Sequence, residues 1–310
     1  MIDLYSKFSE LNRNIKDFQS PVDTSGAIKA YYGVSVDGNF MISFLSTKST
    51  GIKGTTKSVD VVQGKSNDET YWTCFNLKND DLLAVFCTFG EDLISSIAGE
   101  KSESIAASKL RFRFNTWVAL FRKNRMPLSV EKAKGLYGEL LFLSRFMFEK
   151  YGVDRSIEAW SGPENYSKDF AIDNYWYEVK TIGTHSTTVK ISSIQQLSSE
   201  IEGKLIVIKV EEMAETYTGS DSSINELIQK IISLIQSNEL KDLFLEKVTN
   251  YGYDLCDDIG NKKYQFSKME KYIVNKDFPV LKESDIKLMA INNVSYELIL
   301  KLISDFLEVE

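Results

Sequence analysis

The chain has 310 residues, of which 43% are hydrophobic and 26% are charged, and its formal net charge is −7. This composition is typical of a globular protein long enough for two domains, and it excludes disordered and fibrous proteins. The single histidine, His185, argues against zinc hydrolases and catalytic triads, which normally require histidine in a specific role. Hydrolytic chemistry would therefore have to rest on carboxylates, lysine and a hard cation such as Mg²⁺.

The N-terminus and the cysteines indicate the compartment. The opening residues carry charge throughout and lack an apolar core, so they do not resemble a signal peptide. No apolar run approaches the roughly 18 residues of a membrane span. Cys74, Cys87 and Cys256 form no paired spacing, which favours a reducing environment. We therefore expect a cytoplasmic protein that does not associate with membranes.

Alternating β-branched and aromatic residues predict that the N-terminal part of the chain is mostly strand. Asp37-Gly38 lies between two such runs, which is a typical signal for a hairpin. The predicted strands cover residues 30–46, 70–76 and 82–88. From Asp92 to about Lys123 the spacing of apolar residues becomes helical. Residues 1–125 are thus predicted to form a β-rich domain that ends in a long helix.

Residues 126–310 are predicted to form a second domain, and the protein as a whole belongs to the α/β (α+β) class. Ser129 is suited to cap a helix that runs to about Tyr151. The strand predicted at residues 204–210 is apolar enough to lie centrally in a sheet. The other predicted elements are a strand at 157–160, a hairpin of 169–172 with 176–182, a helix at 192–200, helices at 223–236 and up to 250, a strand at 272–274, and a closing strand and helix at 294–307.

Glu139 lies in the first predicted helix of the second domain, at the spacing of its apolar residues. An ionised carboxylate on a buried face costs several kcal/mol unless a cation or hydrogen-bond donors meet it. Glu139 is therefore either a candidate site residue or a structural one, which lies at the rim of the apolar stripe or forms an ion pair with a buried arginine. The helix by itself does not separate these interpretations.

Three charged residues lie on the predicted hairpin. Period-two alternation puts Glu178 and Lys180 on the same face of their strand, and Asp169 begins the paired strand. Two neighbouring carboxylates raise each other's pKa unless a divalent cation neutralises them, and such oxygen ligands suit Mg²⁺. Lys180 would then face a metal-bound water and a phosphate. The pattern predicts metal-assisted hydrolysis of a phosphodiester, although the bare spacing also arises by chance.

The order of these residues resembles the PD-(D/E)XK nuclease superfamily. The segments GLYGELLFL, EAWSGPENYSKDF, YWYEVKT, ISSIQQL, YIVNKDFPVL and VSYEL are similar to a bacterial family of PD-(D/E)XK motif proteins, whose members are often encoded among restriction and phage-defence genes. The resemblance implies a restriction-endonuclease-like core, a mixed sheet flanked by helices. In this chain Lys168 stands where the superfamily's motif has proline.

The resemblance also implies a set of metal ligands. Asp169 and Glu178 would bind Mg²⁺, or Mn²⁺ in its place, together with the main-chain carbonyl of Val179. Glu139 would bind a second metal or a metal-bound water. These roles are carried over from the superfamily onto matching positions and are not deduced from spacing.

Two further residues have implied roles in catalysis. Lys180 would orient or activate the attacking water and stabilise charge on the phosphate, and Gln196 would be a polar helix residue near the site. The implied activity is that of a Mg²⁺-dependent DNA endonuclease of restriction or phage-defence type. It would act as a homodimer, with an ATPase or methyltransferase as further subunits. The alternative is a nuclease fold that docks on DNA or assembles a complex with little or no cleavage.

A basic segment interrupts this acidic chain. Between Lys109 and Lys134 there are eight basic residues and one acid, a local charge of +7 that leaves −14 for the rest. Contact with DNA phosphates and a solvated helix face are equally good interpretations. Trp160 and Trp176 flank the candidate site in sequence, and we expect both to pack in the core rather than to stack on bases.

Overall fold

The structure is a computed structural model that describes residues 2–54, 56, 58–66, 69–120, 128–164, 166–254, 258–282, 285, 291 and 294–308. It divides into two compact units, Met1–Met126 with Asp254–Cys256, and Pro127–Tyr253 with Asp257–Glu310. The boundary predicted between residues 125 and 126 lies outside the described residues, so the assignment of two domains stays a prediction.

The helices and strands of the first unit are α1 Leu4–Ser9, β1 Phe18–Val22, β2 Lys29–Val34, β3 Phe40–Ser46, β4 Val59–Lys65, β5 Tyr71–Leu77, α2 Leu83–Ile97 and α3 Glu103–Leu120. The five strands form an antiparallel sheet in the order β1-β2-β3-β5-β4. The ring of Phe75 on β5 contacts Phe89 on α2 and Phe114 on α3, which places both helices against the sheet. The hairpin predicted around Asp37-Gly38 joins β2 to β3.

Residues 82–88 form helix and not the predicted strand. Leu82 ends a 3-10 turn, and α2 begins at Leu83. Most of this helix is buried, so its apolar residues form a nearly continuous run. A short apolar run does not distinguish a buried strand from a buried helix, which is why the prediction was wrong.

The second unit contains six strands, β6 Phe170–Ile172, β7 Tyr175–Gly183, β8 Thr188–Ile191, β9 Gly203–Met213, β10 Lys263–Val274 and β11 Tyr296–Ile299. Four of them form a mixed sheet in the order β10-β9-β7-β6. Strands β7 and β9 are parallel, and the other two pairs are antiparallel. A separate pair joins β8 to β11. Strand β9 is buried from Gly203 to Ile208, as predicted for a central strand.

The helices of the second unit are α4 Val130–Phe142, α5 Phe148–Tyr151, α6 Val153–Ala159, α7 Ile224–Leu234 and α8 Asn238–Tyr251. The predicted cap at Ser129 is confirmed, since its hydroxyl oxygen accepts the Lys132 N–H at 3.2 Å. A π-helical turn, Leu143–Met147, continues α4 into α5. The mixed α+β class predicted from the sequence is therefore confirmed. Among the described helices, none has both the length and the apolar character needed to cross a membrane.

Two other short elements differ from the prediction. Residues 157–159 belong to α6 and are not a strand, and Trp160 forms only an isolated bridge with Phe170. Residues 192–200 contain a single 3-10 turn, Ile194–Gln196, in place of the predicted helix. There the Gln196 side chain accepts the Ser192 N–H at 2.7 Å, and such local bonds to the backbone compete with helix formation.

Candidate functional site

The β6–β7 hairpin carries the predicted site. Its turn residues, Asp173 and Asn174, have φ values of 51° and 58°, the left-handed conformation that tight hairpin turns require and that Asp and Asn tolerate. The register pairs Phe170 with Tyr177, so the residue before β6, Asp169, lies beside Glu178. Its Oδ2 accepts the Val179 N–H at 2.7 Å. The hairpin therefore brings Asp169 to the strand that carries Glu178 and Lys180.

Glu178 is a buried carboxylate that is only partly satisfied. Its residue is 1% exposed, and its Oε1 lies 2.8 Å from Lys180 Nζ. The other oxygen, Oε2, is buried and has no hydrogen-bond partner among the described residues. Burial and then the neighbouring Asp169 carboxylate raise the pKa of Glu178 to about 8, although Lys180 acts in the opposite direction. This oxygen is therefore available to a cation or to a donor from a substrate.

Glu139 projects from α4 and is also buried. Its Oε2 accepts the indole N–H of Trp160 at 2.8 Å, and its Oε1 accepts the hydroxyl of Tyr251 at 3.0 Å. Burial and then Asp169 raise its pKa well above the ordinary value, while these two hydrogen bonds lower it. The partners described for Glu139 are thus an indole and a phenol, and not the arginine of a structural ion pair.

Two glycines bring the three carboxylates together. A Cβ on Gly162 would lie 2.6 Å from Glu139 Oε2 and 3.2 Å from Asp169 Oδ1, so both carboxylates border this stretch of backbone. A Cβ on Gly138 would lie 1.8 Å from Thr181 Oγ1, so only glycine lets α4 approach β7 this closely. Glu139, which follows Gly138, is therefore held next to the strand that carries Glu178.

Negative charge exceeds positive charge at this site. Burial lowers the pKa of Lys180, but Glu178 and Asp169 raise it by more, so the ammonium keeps its proton. Burial raises the pKa of Asp169, and Lys180 lowers it in part. Within the described ranges, no three His, Cys, Asp or Glu side chains are arranged as a preformed metal cluster. The donors nevertheless fit a hard cation chemically, since they are carboxylate oxygens and one of them is buried with no hydrogen-bond partner in the described part of the chain.

A family profile described as "Putative PD-(D/E)XK family member" (DUF4420) matches residues 3–301. The chain belongs to this family. The match covers nearly the whole sequence and confirms the resemblance read from the order of Glu139, Asp169 and Glu178-Val179-Lys180. No curated protein and no solved structure is significantly similar to the chain. Membership in the PD-(D/E)XK family favours a nuclease or phosphodiesterase, a class that usually uses divalent metals.

In this PD-(D/E)XK family member, the lysine at the motif's proline position contacts the next loop. Lys168 Nζ donates to the carbonyl oxygens of Gln195 and Gln196, each at 2.7 Å. It also lies 4.0 Å from the centroid of the Trp176 ring. Burial lowers the pKa of Lys168 to about 8. The side chain of Gln196 bonds Ser192 instead, and no described contact joins it to the carboxylates, so its role in the site stays a prediction.

The basic segment is less available to phosphate than its composition indicates. Residues 121–127 lie outside the described part of the chain. Arg113 is buried and pairs with Asp92 at 2.6 Å, and Lys109 pairs with Glu100 at 3.0 Å. Arg113 is thus enclosed in the protein, and Lys109 is paired at the surface, which favours a structural interpretation for both cations over contact with DNA.

Residues outside the motif complete the surroundings of the site. Trp160 is buried as expected, but its indole also bonds Glu139, which the sequence did not indicate. Tyr251 lies 112 positions from Glu139, and no local pattern connects them. The glycines Gly135 and Gly138 did offer a signal, because glycine inside a helical pattern often marks a close approach of backbone.

Proposed function

We propose that this protein is a metal-dependent phosphodiesterase that cuts DNA at the Asp169, Glu178 and Lys180 site. The observation that carries the proposal is the buried oxygen of Glu178, which has no described partner although two further carboxylates lie nearby. Excess buried negative charge is costly unless a cation neutralises it. Membership in the PD-(D/E)XK family supports nuclease chemistry.

Four groups would hold the metal in this proposal. Asp169 and Glu178 would be its main ligands, with the Val179 carbonyl and Glu139 as further oxygen donors. A bound Mg²⁺ or Mn²⁺ would supply Lewis acidity toward the phosphate and a more acidic water. The Val179 N–H fixes Oδ2 of Asp169, and Oδ1, for which the described residues supply no hydrogen-bond donor, would bind the metal.

Lys180 would act as an ammonium and not as a neutral base. Glu178 and Asp169 raise its pKa, so it carries its proton and donates hydrogen bonds. A buried ammonium can orient an attacking water and stabilise the negative charge that develops on the phosphate. Its distance of 2.8 Å from Glu178 Oε1 places this charge directly at the proposed metal ligands.

The biological role in the proposal is restriction or phage defence. Cleavage of both DNA strands requires two active sites, which a homodimer would supply. Further subunits, an ATPase or a methyltransferase, would direct the nuclease to its target. The second candidate function is a DNA-docking subunit with little cleavage, and it is favoured by one observation, the absence of a preformed metal cluster among the described residues.

A cleavage assay tests the proposal. Plasmid, phage DNA with modified bases and single-stranded DNA are incubated with Mg²⁺, Mn²⁺ or a chelator. The wild type should nick or linearise DNA only with metal. Asp169→Asn and Lys180→Ala should be at least about 100-fold slower, because a metal site contributes several kcal/mol to the transition state.

The matched control is Asp173→Asn. This carboxylate lies on the same hairpin, but its side chain is 61% exposed and pairs with Arg155 at the turn, so this variant should cut like the wild type. A wild type that cuts no substrate with either metal contradicts the proposal, as do site variants that cut normally. Calorimetry distinguishes the second candidate function from the nuclease, because a docking subunit would bind DNA without binding Mg²⁺.

A further inference from the structure

Helix α8 reaches the candidate site from a distant part of the sequence. Tyr251 is its last residue, and Gly252, in the left-handed conformation with φ 99°, ends the helix. The hydroxyl of Tyr251 donates to Glu139 Oε1 at 3.0 Å. The residue that ends this helix therefore contacts one of the three carboxylates of the site.

The same helix also supports the other oxygen of Glu139. Lys247, one turn before Tyr251, is buried and donates to the main-chain carbonyl of Trp160 and, at 3.2 Å, to that of Glu158. Trp160 in turn donates its indole N–H to Glu139 Oε2 at 2.8 Å. Helix α8 thus contacts one Glu139 oxygen directly and supports the donor to the other.

The space for the tyrosine hydroxyl depends on a glycine of α4. Gly135 lies one turn before Glu139, and a Cβ there would be 3.2 Å from the Tyr251 hydroxyl, which is closer than an ordinary van der Waals contact. Glycine inside a helix is destabilising relative to alanine. At this position it lets the hydroxyl reach the carboxylate.

We propose that Tyr251 is a positioning residue for the nuclease reaction, whose hydroxyl, together with the Trp160 indole, holds the Glu139 carboxylate beside Asp169. The inference rests on the proposed function of the site and adds a residue that the motif does not include. One donor on each oxygen restricts rotation of the carboxylate. Partners that orient a metal-binding side chain typically change metal affinity or activity by about 10–100-fold.

Tyr253 provides a matched comparison. It lies two residues further along the chain, is 1% exposed, and donates its hydroxyl to Asn225 Oδ1 at 2.7 Å. Removal of this hydroxyl also deletes a hydrogen bond from a tyrosine to a side-chain oxygen, here a more buried one, without touching a carboxylate of the site. If the Mg²⁺ dependence of cleavage changes in Tyr251→Phe but not in Tyr253→Phe, the change therefore cannot come from lost stability alone.

The experiment measures cleavage rate against Mg²⁺ concentration for the full chain. Tyr251→Phe should need about 10-fold more Mg²⁺ for half of its maximal rate, while its affinity for DNA without metal stays that of the wild type. Tyr253→Phe should need the same Mg²⁺ as the wild type. Equal behaviour of the two variants overturns the inference.

A double-mutant cycle tests whether Tyr251 acts through Glu139. Glu139→Gln and the double variant with Tyr251→Phe should cleave at rates within about 2-fold of each other, since residues in one network are not additive. Independent, additive losses overturn the inference. A wild type that neither binds Mg²⁺ nor cleaves refutes the proposed function and this inference with it. A wild type that cleaves, with Tyr251→Phe unchanged, refutes the inference alone.

Discussion

The two units each bury a group of charged side chains, and the two groups differ in how their charges are balanced. In the first unit, Oδ2 of Asp92 accepts hydrogen bonds from Arg113 Nε at 2.9 Å and Nη2 at 2.6 Å. The indole N–H of Trp117 adds a third at 2.8 Å. One carboxylate thus meets one guanidinium, and both side chains are at most 3% exposed.

In the second unit, three carboxyl groups, of which Glu139 and Glu178 are buried, share one close ammonium. Lys180 pairs with Glu178, while Asp169 and Glu139 are held by N–H and O–H donors. Lys168 directs its ammonium to main-chain carbonyls instead. The second group therefore contains more acidic groups than the described basic residues can neutralise when these acids are ionised.

This difference separates a structural ion pair from a candidate site. A buried pair with matched charge contributes to one packed arrangement and needs no further cation. A group with too many buried acids must keep protons, as the raised pKa of Glu178 indicates, or bind a cation, and such groups are frequent at functional sites. Sequence composition alone does not show this difference, since both groups are acids and bases on amphipathic elements.

The largest expected effect is loss of the balanced pair. Arg113→Ala leaves Asp92 buried without its main partner, so we expect the free energy of unfolding to fall by about 3–5 kcal/mol. Urea denaturation measures it. Arg155→Ala is the control, because its pair with Asp173 is exposed on both sides and should be worth less than about 1 kcal/mol. An equal, small loss in both variants would remove the distinction between the two kinds of pair.

The next effect is a dependence of stability on pH that arises from the unbalanced group. Folded Glu178 keeps its proton up to about pH 8, whereas the unfolded chain releases it near the ordinary value of 4.5. Between these values the folded state binds more protons, so metal-free stability should fall as pH rises, by roughly 1 kcal/mol per pH unit. Thermal unfolding as a function of pH, measured without metal and with Mg²⁺, checks this expectation. Added Mg²⁺ should stabilise the folded protein more at pH 8.5 than at pH 6.

Glu178→Gln is the matched variant for that measurement. It should reduce the pH dependence, of which Glu139 keeps a part because its pKa is also raised, and it should raise metal-free stability at pH 8.5 by about 1–3 kcal/mol, because a neutral amide replaces a buried charge. The same variant should lose cleavage. A wild-type profile that rises between pH 5 and 8, or a variant with an unchanged slope, would show that Glu178 is not the titrating group.

The smallest effect concerns the contact that holds Glu139 beside β7. Gly138→Ala introduces a Cβ that would overlap Thr181, and we expect a loss of about 1 kcal/mol or more from overpacking. Gly64→Ala on β4 is the control, because a Cβ there meets nothing within 4 Å and should not destabilise the fold. Denaturation of both variants makes the comparison, and a neutral Gly138→Ala would contradict the close approach of helix and strand.

The hairpin shows why part of the site could be predicted. Alternation along β7 puts Glu178 and Lys180 on one face, and the turn at Asp173 and Asn174 sets the register that brings in Asp169. All of these contacts join residues within about a dozen positions, so the local pattern contains the information. The strands proposed at 82–88 and 157–160 were wrong because short apolar runs have no period that separates strand from helix.

By itself, the sequence determined the mixed α+β class, the family, the capped helix with Glu139 and the hairpin with Asp169, Glu178 and Lys180. Only the tertiary structure decided which donors meet Glu139, which carbonyl groups the Lys168 ammonium contacts and which oxygen of Glu178 has no partner among the residues that the structure describes. The physical reason is the separation along the chain over which each kind of interaction acts. Periodicity and turn chemistry act between neighbours in the chain, whereas the partners of a buried charge are set by packing between segments far apart in sequence.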